Sequence, residues 1–439
     1  FYVPNLYMAE SENCVFACLC AYLSLSLYPE FNRIRENTMG IIAKLLGKAP
    51  QEETARVGGM EDFMTLIRVY YQAVMAMQMG ISNLAVLPDL RIFKQTLHVP
   101  TVNNKLGIGE RKRCRTMLMD VYGMEDNFFK EIGLVLKDKN GYLYPFSEKS
   151  SSVLSALKNA CLESGVNFRF CSTILNVEKI NDKFIVNGEK FDKLIVATGG
   201  CSYPKTGSVG IGYDIAKNFG HNITDLFPSL VPLYTKNSLE KEWKGIRCEA
   251  IVSLYENDKF IKSEHGELQL NSEGLSGICI FNLSRNIKLG LNNNCKEEIR
   301  INFTPWTNDL RSFLENFKDK KVSVICDGFM DYKLTNILYK HLGIDTNKTW
   351  NELRDLDKNK IVDALTDFKV DIKDTKGYLD TQVTCGGVCL DEINLNDMSS
   401  KFVNNLYFIG EVLDLDGDCG GYNLTIAFIT GLLAGGNND

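Results

Sequence analysis

LYFIGEVLDLDGDCGGYN, residues 406–423, decides how this chain is read. Four apolar residues, Leu406 to Ile409, form a continuous run of the kind a strand needs when helices cover both its faces. Gly410 and Glu411 follow at once, then an acidic loop with Asp414, Asp416 and Asp418, then Gly420, Gly421, Tyr422 and Asn423 opening an apolar helix to about Ala434. A carboxylate just past a central strand can accept hydrogen bonds from a polyol. A glycine pair at a helix start lets backbone amides approach an electron-rich ring or a phosphate. Spacing alone leaves a second reading open, in which the glycines form a plain flexible loop and the aspartates a solvated face.

Upstream, Leu194 to Ala197 is another continuously apolar strand, and its exit turn is Thr198, Gly199 and Gly200. Gly207, Gly210 and Gly212 come next. Their spacing reverses the dinucleotide fingerprint, so either close backbone approach to a bound group or a tightly packed helix start explains them. Thr173 to Lys179, Phe184 to Asn187 and Lys193 to Ala197 read as a meander with turns at Asn181-Asp182 and Asn187-Gly188. A helical piece ending at Gly133, a hairpin over Lys137 to Tyr144 turning at Asn140-Gly141, and a helix from Ser150 to Ser164 precede it.

From about Phe227 to Thr384 the pattern changes to alternating strands, such as Ala250 to Tyr255 and Glu297 to Phe303, and a Lys- and Asp-rich helical part from Asp327 to Asp367. That change predicts an inserted domain. Residues 1–115 show helical patches such as Asp62 to Met79, a polar stretch from Leu97 to Arg113, and no strand followed by a glycine-rich turn. Val15 to Tyr28 falls short of the ~20 residues that span a bilayer; it reads as a buried helix, with a shortened signal-peptide core as its other reading.

The 439 residues exceed the roughly 250–300 at which one core stops growing, so two or three domains are expected. Net charge is −6, and the longest basic run is Arg111 to Arg113, which excludes an electrostatic footprint for nucleic acid. Fourteen cysteines lack disulfide-scaffold spacing, and neither Cys14, Cys18 and Cys20 nor Cys385 and Cys389 has a histidine to complete a zinc site. Reduced cytoplasmic thiols and no metal are expected. The four histidines are far apart, and His221 reads as packing; no catalytic side chain is assigned.

Taken with their flanks, these motifs resemble the bacterial NAD(P)/FAD-dependent oxidoreductases, the family that includes aminoacetone oxidase and bile-acid 3-dehydro reductases. The resemblance covers about residues 116–435. It rests on Asn127 to Leu134, Gly141 to Pro145, Ala197 to Gly207, Leu230 to Leu233, Gly266 to Leu268, Gly274 to Gly277, Gln382 to Val388 and Gly410 to Asn423. It implies an α/β fold: a glutathione-reductase-like FAD-binding Rossmann domain with an inserted β-barrel plus helical domain over the flavin. The expected division is 1–115 atypical, 116–205 and 385–439 the two parts of the FAD domain, and 206–384 the insert. It also implies a cofactor site of Thr198, Gly199, Gly200, Gly410, Glu411, Asp418, Gly420, Gly421, Tyr422 and Asn423, with FAD as cofactor, NAD(P)H as a further one, and a small-molecule substrate. No nucleic-acid or membrane partner is expected, and the sequence does not set the oligomeric state. The family opens on a strand and a glycine-rich phosphate turn, which residues 1–115 do not match, so a flavin-free binding or interaction module is the alternative.

Overall fold

The computed structural model describes residues 6–11, 14–19, 87–88, 97–98, 129–139, 142–164, 166–169, 173–204, 207–236 and 240–436. It divides into two compact units, one of residues 1–226 with 384–439 and one of residues 227–383. Residues 206–226, placed in the insert by the sequence reading, therefore belong to the first unit. The reason lies in Gly212 of the helix Ile211–Asn218. A Cβ there would overlap Thr198 Oγ1 and come within 2.9 Å of Val412 Cγ2, so the helix is pressed onto the exits of two strands of the first unit.

The first unit is built on a six-stranded sheet in the order Leu6–Ser11, Cys14–Leu19, Lys193–Val196, Leu406–Phe408, Ser399–Ser400, Ile393–Asn394. Cys14–Leu19 runs parallel to Lys193–Val196, which runs parallel to Leu406–Phe408. The two apolar tetrads are thus central neighbours, with Leu194, Val196, Leu406 and Phe408 fully buried. The helices Ser150–Glu163 and Tyr422–Gly436 contribute Val153, Leu157, Leu424 and Phe428 to the same core.

Three sequence expectations are corrected here. The first five residues of the supposed helix, Val15 to Leu19, belong to a strand, Cys14–Leu19, antiparallel to Leu6–Ser11. The helix reading failed because an apolar run has no period of its own when both faces of a strand are covered. Its remainder, and the expected helical patch from Asp62 to Met79, lie outside the described residues. The meander is closed by Glu189–Phe191, three residues too few to show alternation, while Lys193–Val196 leaves for the large sheet. Thr173 to Asn176 is not strand; the first meander strand begins at Val177. The turns themselves are as read: Asn181 and Asp182 have φ of 50° and 63°, and Asn187 and Gly188 of 48° and 89°, as type I′ hairpins require.

The second unit contains a closed six-stranded barrel, of Leu233–Thr235, Gly274–Ser276, Lys259–Leu270, Arg247–Glu256, Glu297–Asn302 and Phe368–Thr375. Val252, Leu254, Leu268, Ile299 and Ile301 alternate inward along its strands, each at most 1% exposed. The helix Ile278–Asn292 packs Ile280, Leu283 and Ile287 into that core, and the helices Tyr332–Leu342 and Asp355–Thr366 extend it around Trp350. Exposed Asn292, Asn293 and Asn294 form the tight turn between helix and strand. Limited proteolysis is expected to cut between Asn292 and Lys296 before it cuts the buried Leu194 to Val196, as a gel time course with mass mapping would report.

Candidate functional site

The site is set by parallel strands. Lys193–Val196 and Leu406–Phe408 end side by side, and the Ile409 N–H donates to Val196 O at 3.1 Å, so their exit turns start together. In an open α/β sheet, the crevice beyond the carboxyl ends of parallel strands is where ligands bind. Gly199 and Gly410 leave these ends with φ of 70° and 74°, a backbone that side chains with a Cβ rarely adopt. The Gly410 N–H donates to Thr430 Oγ1 at 2.9 Å, so the last helix holds the turn.

Behind the turns lies a buried polar knot. Glu411 Oε1 accepts from Ser202 Oγ and from the Thr384 N–H, both at 2.8 Å; Ser202 Oγ and Thr384 Oγ1 are 2.9 Å apart; and the Cys201 N–H donates to Thr384 Oγ1 at 2.7 Å. Glu411 is 7% exposed. Burial pushes its carboxyl up, the Thr384 and Ser202 hydrogen bonds hold it back, and the Asp416 charge adds to the rise. Gly200 is required beneath the knot, because a Cβ there would overlap Thr384 Oγ1 and lie 2.7 Å from Glu411 Oε1.

The acidic loop is not a solvated face. Asp414, Asp416 and Asp418 are 6%, 2% and 7% exposed, which removes the solvated-face part of the second reading. The loop ends in a clasp, where Asn423 Oδ1 accepts the Gly417 N–H at 2.8 Å and Asn423 Nδ2 donates to Gly417 O at 2.9 Å. Gly420 and Gly421, with φ of 132° and 88°, then open the helix Tyr422–Gly436. The first amides of a helix find no carbonyl within it, and the macrodipole makes that end partly positive. A Cβ at Gly420 would meet the rings of Tyr422 and Tyr142 at 3.0 and 3.3 Å, and the two tyrosine hydroxyls are 3.4 Å apart.

Thr198, Gly199, Gly200, Gly410 and Glu411 are therefore gathered at the strand exits, while Asp418, Gly420, Gly421, Tyr422 and Asn423 cluster at the start of the last helix. Gly207 and Gly210 have φ of 96° and 82°, and Gly210 starts the helix that Gly212 packs onto Thr198, so packing accounts for that glycine cluster. Ser202, Thr384 and Thr430 escaped the sequence reading. Thr430 alone left a signal, as a fully buried hydroxyl in an apolar helix. His221 is a packing residue: its ring is stacked 4.8 Å from Phe402, Nδ1 lies 3.2 Å from Glu392 and Nε2 lies 2.7 Å from Ser400 Oγ, with burial pushing its pKa down. Among the described residues, only Cys389, Asp391 and Glu392 bring three potential metal ligands together, and Glu392 already serves His221 and Asn222.

The donor set suits a flavin. Buried carboxylates along the loop fit hydroxyls and oppose phosphates, while the glycine-opened helix start offers backbone amides without a Cβ in the way.

Residues 105–437 match the HI0933-like protein Rossmann domain. The chain belongs to the HI0933-like family. It is 32% identical over 325 residues to a 3-dehydro-bile acid delta(4,6)-reductase of Clostridium scindens, covering 72% of this chain and 79% of that protein. It is 30% identical over 293 residues to a ribosomal RNA dihydrouridine synthase of Escherichia coli, covering 64% and 70%. A Haemophilus influenzae protein of the same name is 29% identical over 318 residues, covering 68% and 75%. Residues 39–161 match a domain of unknown function (DUF8491). The HI0933-like assignment supports an oxidoreductase with a Rossmann-type domain, here carried with a small closed barrel. Among the described residues no helix is long and apolar enough to cross a membrane.

Proposed function

We propose that this HI0933-like chain is an FAD-dependent oxidoreductase of glutathione-reductase-like type, acting on a small organic substrate. The observation that carries the reading is the paired exit of Lys193–Val196 and Leu406–Phe408 beneath a helix opened by two glycines of positive φ. In this reading Thr198, Gly199, Gly200 and Gly410 line the cofactor, Glu411 and Asp418 shape the wall for its hydroxyl-bearing chain, and Gly420, Gly421, Tyr422 and Asn423 form the edge against the ring. When bound, FAD supplies the two-electron chemistry, with a hydride exchanged between substrate and flavin and NAD(P)H or oxygen as second partner. The protein supplies orientation and charge. Amides at the start of Tyr422–Gly436 favour added electron density nearby, and the knot of Glu411, Ser202 and Thr384 holds the turns in place.

The relatives' names narrow the substrate. A 3-dehydro bile acid with delta(4,6) unsaturation is a ketone conjugated to carbon–carbon double bonds, and dihydrouridine is uridine with a carbonyl-conjugated double bond saturated. Reduction of an electron-poor, carbonyl-conjugated double bond fits both. NAD(P)H is then the second partner, since the flavin must be supplied with the two electrons it hands to the double bond and oxygen would remove them. A net charge of −6 favours a small molecule over RNA. Cys201, Cys248, Cys279, Cys295 and Cys326 are free thiols, in keeping with a cytoplasmic setting.

Purified protein is expected to be yellow, and NADH or NADPH under anaerobic conditions to bleach the flavin band. Gly421→Glu should cut flavin content at least tenfold, since it adds bulk and a negative charge where amides must approach. Gly421→Asn, which tolerates a left-handed backbone, controls for folding by circular dichroism. A colourless wild-type protein that takes up no added FAD overturns the proposal. It would favour the flavin-free binding module, for which the start of the family match at residue 105 is the supporting observation.

A further inference from the structure

We propose that the second unit carries a binding site of its own for an organic cation with an apolar body, in the cavity between the barrel strand Arg247–Glu256 and the helical segment from Asp327 to Leu334. The cavity measures about 600 Å³, inside the range of small-molecule sites. Every residue lining it belongs to the second unit, so it is independent of the flavin reading.

One wall is aromatic. Trp306 is 49% exposed although its ring is held edge-on by Phe313 at 4.9 Å and Phe329 at 5.2 Å, and Phe303 lies buried in the same lining. A large ring fixed by neighbours yet left half open presents its π surface to a ligand, and such a surface attracts cations. The charges around it have the matching sign. The lining's basic side chains are already engaged, His265 Nε2 lying 3.0 Å from Glu249 Oε1 and Arg247 3.7 Å from Glu267. Asp327 and Asp331 enter no ion pair among the described residues. Asp331 accepts only the Lys333 N–H at the start of its helix, and Asp327 faces the Thr335 hydroxyl at 3.5 Å. Two carboxylates beside an open indole repel an anionic ligand and favour an ammonium. Cys248 does not change this, because burial, with Asp331 and Glu267 adding, pushes its thiol up to about 12 and keeps it neutral.

Trp306 is also the reporter. The chain has three tryptophans, and Trp243 and Trp350 are fully buried. The full-length protein would be titrated with benzyltrimethylammonium, benzyl alcohol and benzoate while tryptophan emission is followed, with calorimetry alongside. The expected result is saturable binding of the cation, at least tenfold weaker binding of benzyl alcohol, and none of benzoate. Asp327→Asn with Asp331→Asn should weaken the cation at least tenfold; asparagine keeps the helix cap, so folding is preserved. Trp306→Phe should silence the emission change yet keep the calorimetric signal. Equal affinity for cation and alcohol, undiminished affinity in the double variant, or quenching that never saturates would each overturn the proposal.

Discussion

Gly387→Ala should lower the melting temperature of the first unit by about 4–10 °C. A Cβ at Gly387 would lie 2.5 Å from the Leu413 carbonyl carbon and 2.6 Å from both Leu413 O and Val412 O. All three are backbone atoms, so no side chain can swing aside. The neighbouring chain is held in place by Val388 N to Val412 O at 2.9 Å and Asp414 N to Val388 O at 3.0 Å. Admitting the methyl group means stretching both buried hydrogen bonds, each worth about 1 kcal/mol, on top of overpacking strain of about 1–3 kcal/mol. Gly377→Ala is the control, since nothing lies within 4 Å of its added Cβ. Calorimetry of both variants checks the difference, and a Gly387→Ala transition that coincides with wild type would refute the argument.

Glu297→Gln should stabilise the second unit at neutral pH by about 2–3 kcal/mol. Glu297 is 2% exposed, and neither carboxylate oxygen has a hydrogen-bond partner. It stands opposite Glu256 on the adjacent barrel strand and is pressed against the helix at Gly290. Cys295, the other titratable group facing it, is held protonated by its hydrogen bond to Glu256. Burial, then Glu256, pushes the Glu297 carboxyl from 4.5 up to about 7. The folded state therefore binds the proton more tightly than the unfolded chain. Stability from this group is complete below pH 4.5 and is lost as pH rises through about 7. The variant, which carries no ionisable carboxyl there, should show a flat denaturation midpoint over that window where wild type falls. Parallel profiles would sink the assignment.

What was legible in the sequence follows from range. Local chemistry could be read: the left-handed turns at Asn181-Asp182 and Asn187-Gly188, the two apolar tetrads, and Gly420-Gly421 ahead of an apolar helix. Contacts between distant positions could not. Nothing in the spacing joins Ser202 to Thr384 and Glu411, because 182 and 209 positions separate residues that hydrogen-bond. The helix expected from Val15 failed for a different reason; the strand there is Cys14–Leu19. Six apolar and small residues suit a doubly covered strand and a buried helix alike, and only their pairing with Lys193–Val196 decides.

The discontinuity of the first unit also sets an order of assembly on the ribosome. Leu194 pairs with Leu406 as well as with Val15, so Lys193–Val196 waits for more than two hundred further residues before its second neighbouring strand is synthesised. The barrel unit is contiguous and complete by Val383, and can close during that interval, since domains generally fold as units while synthesis continues. The sheet with the glycine turns then finishes last, through pairings of very long loop closure, which are the slow kind. A chain released short of residue 406 would carry a folded barrel beside an apolar strand edge with no partner, the form most prone to aggregate and the one a chaperone would meet.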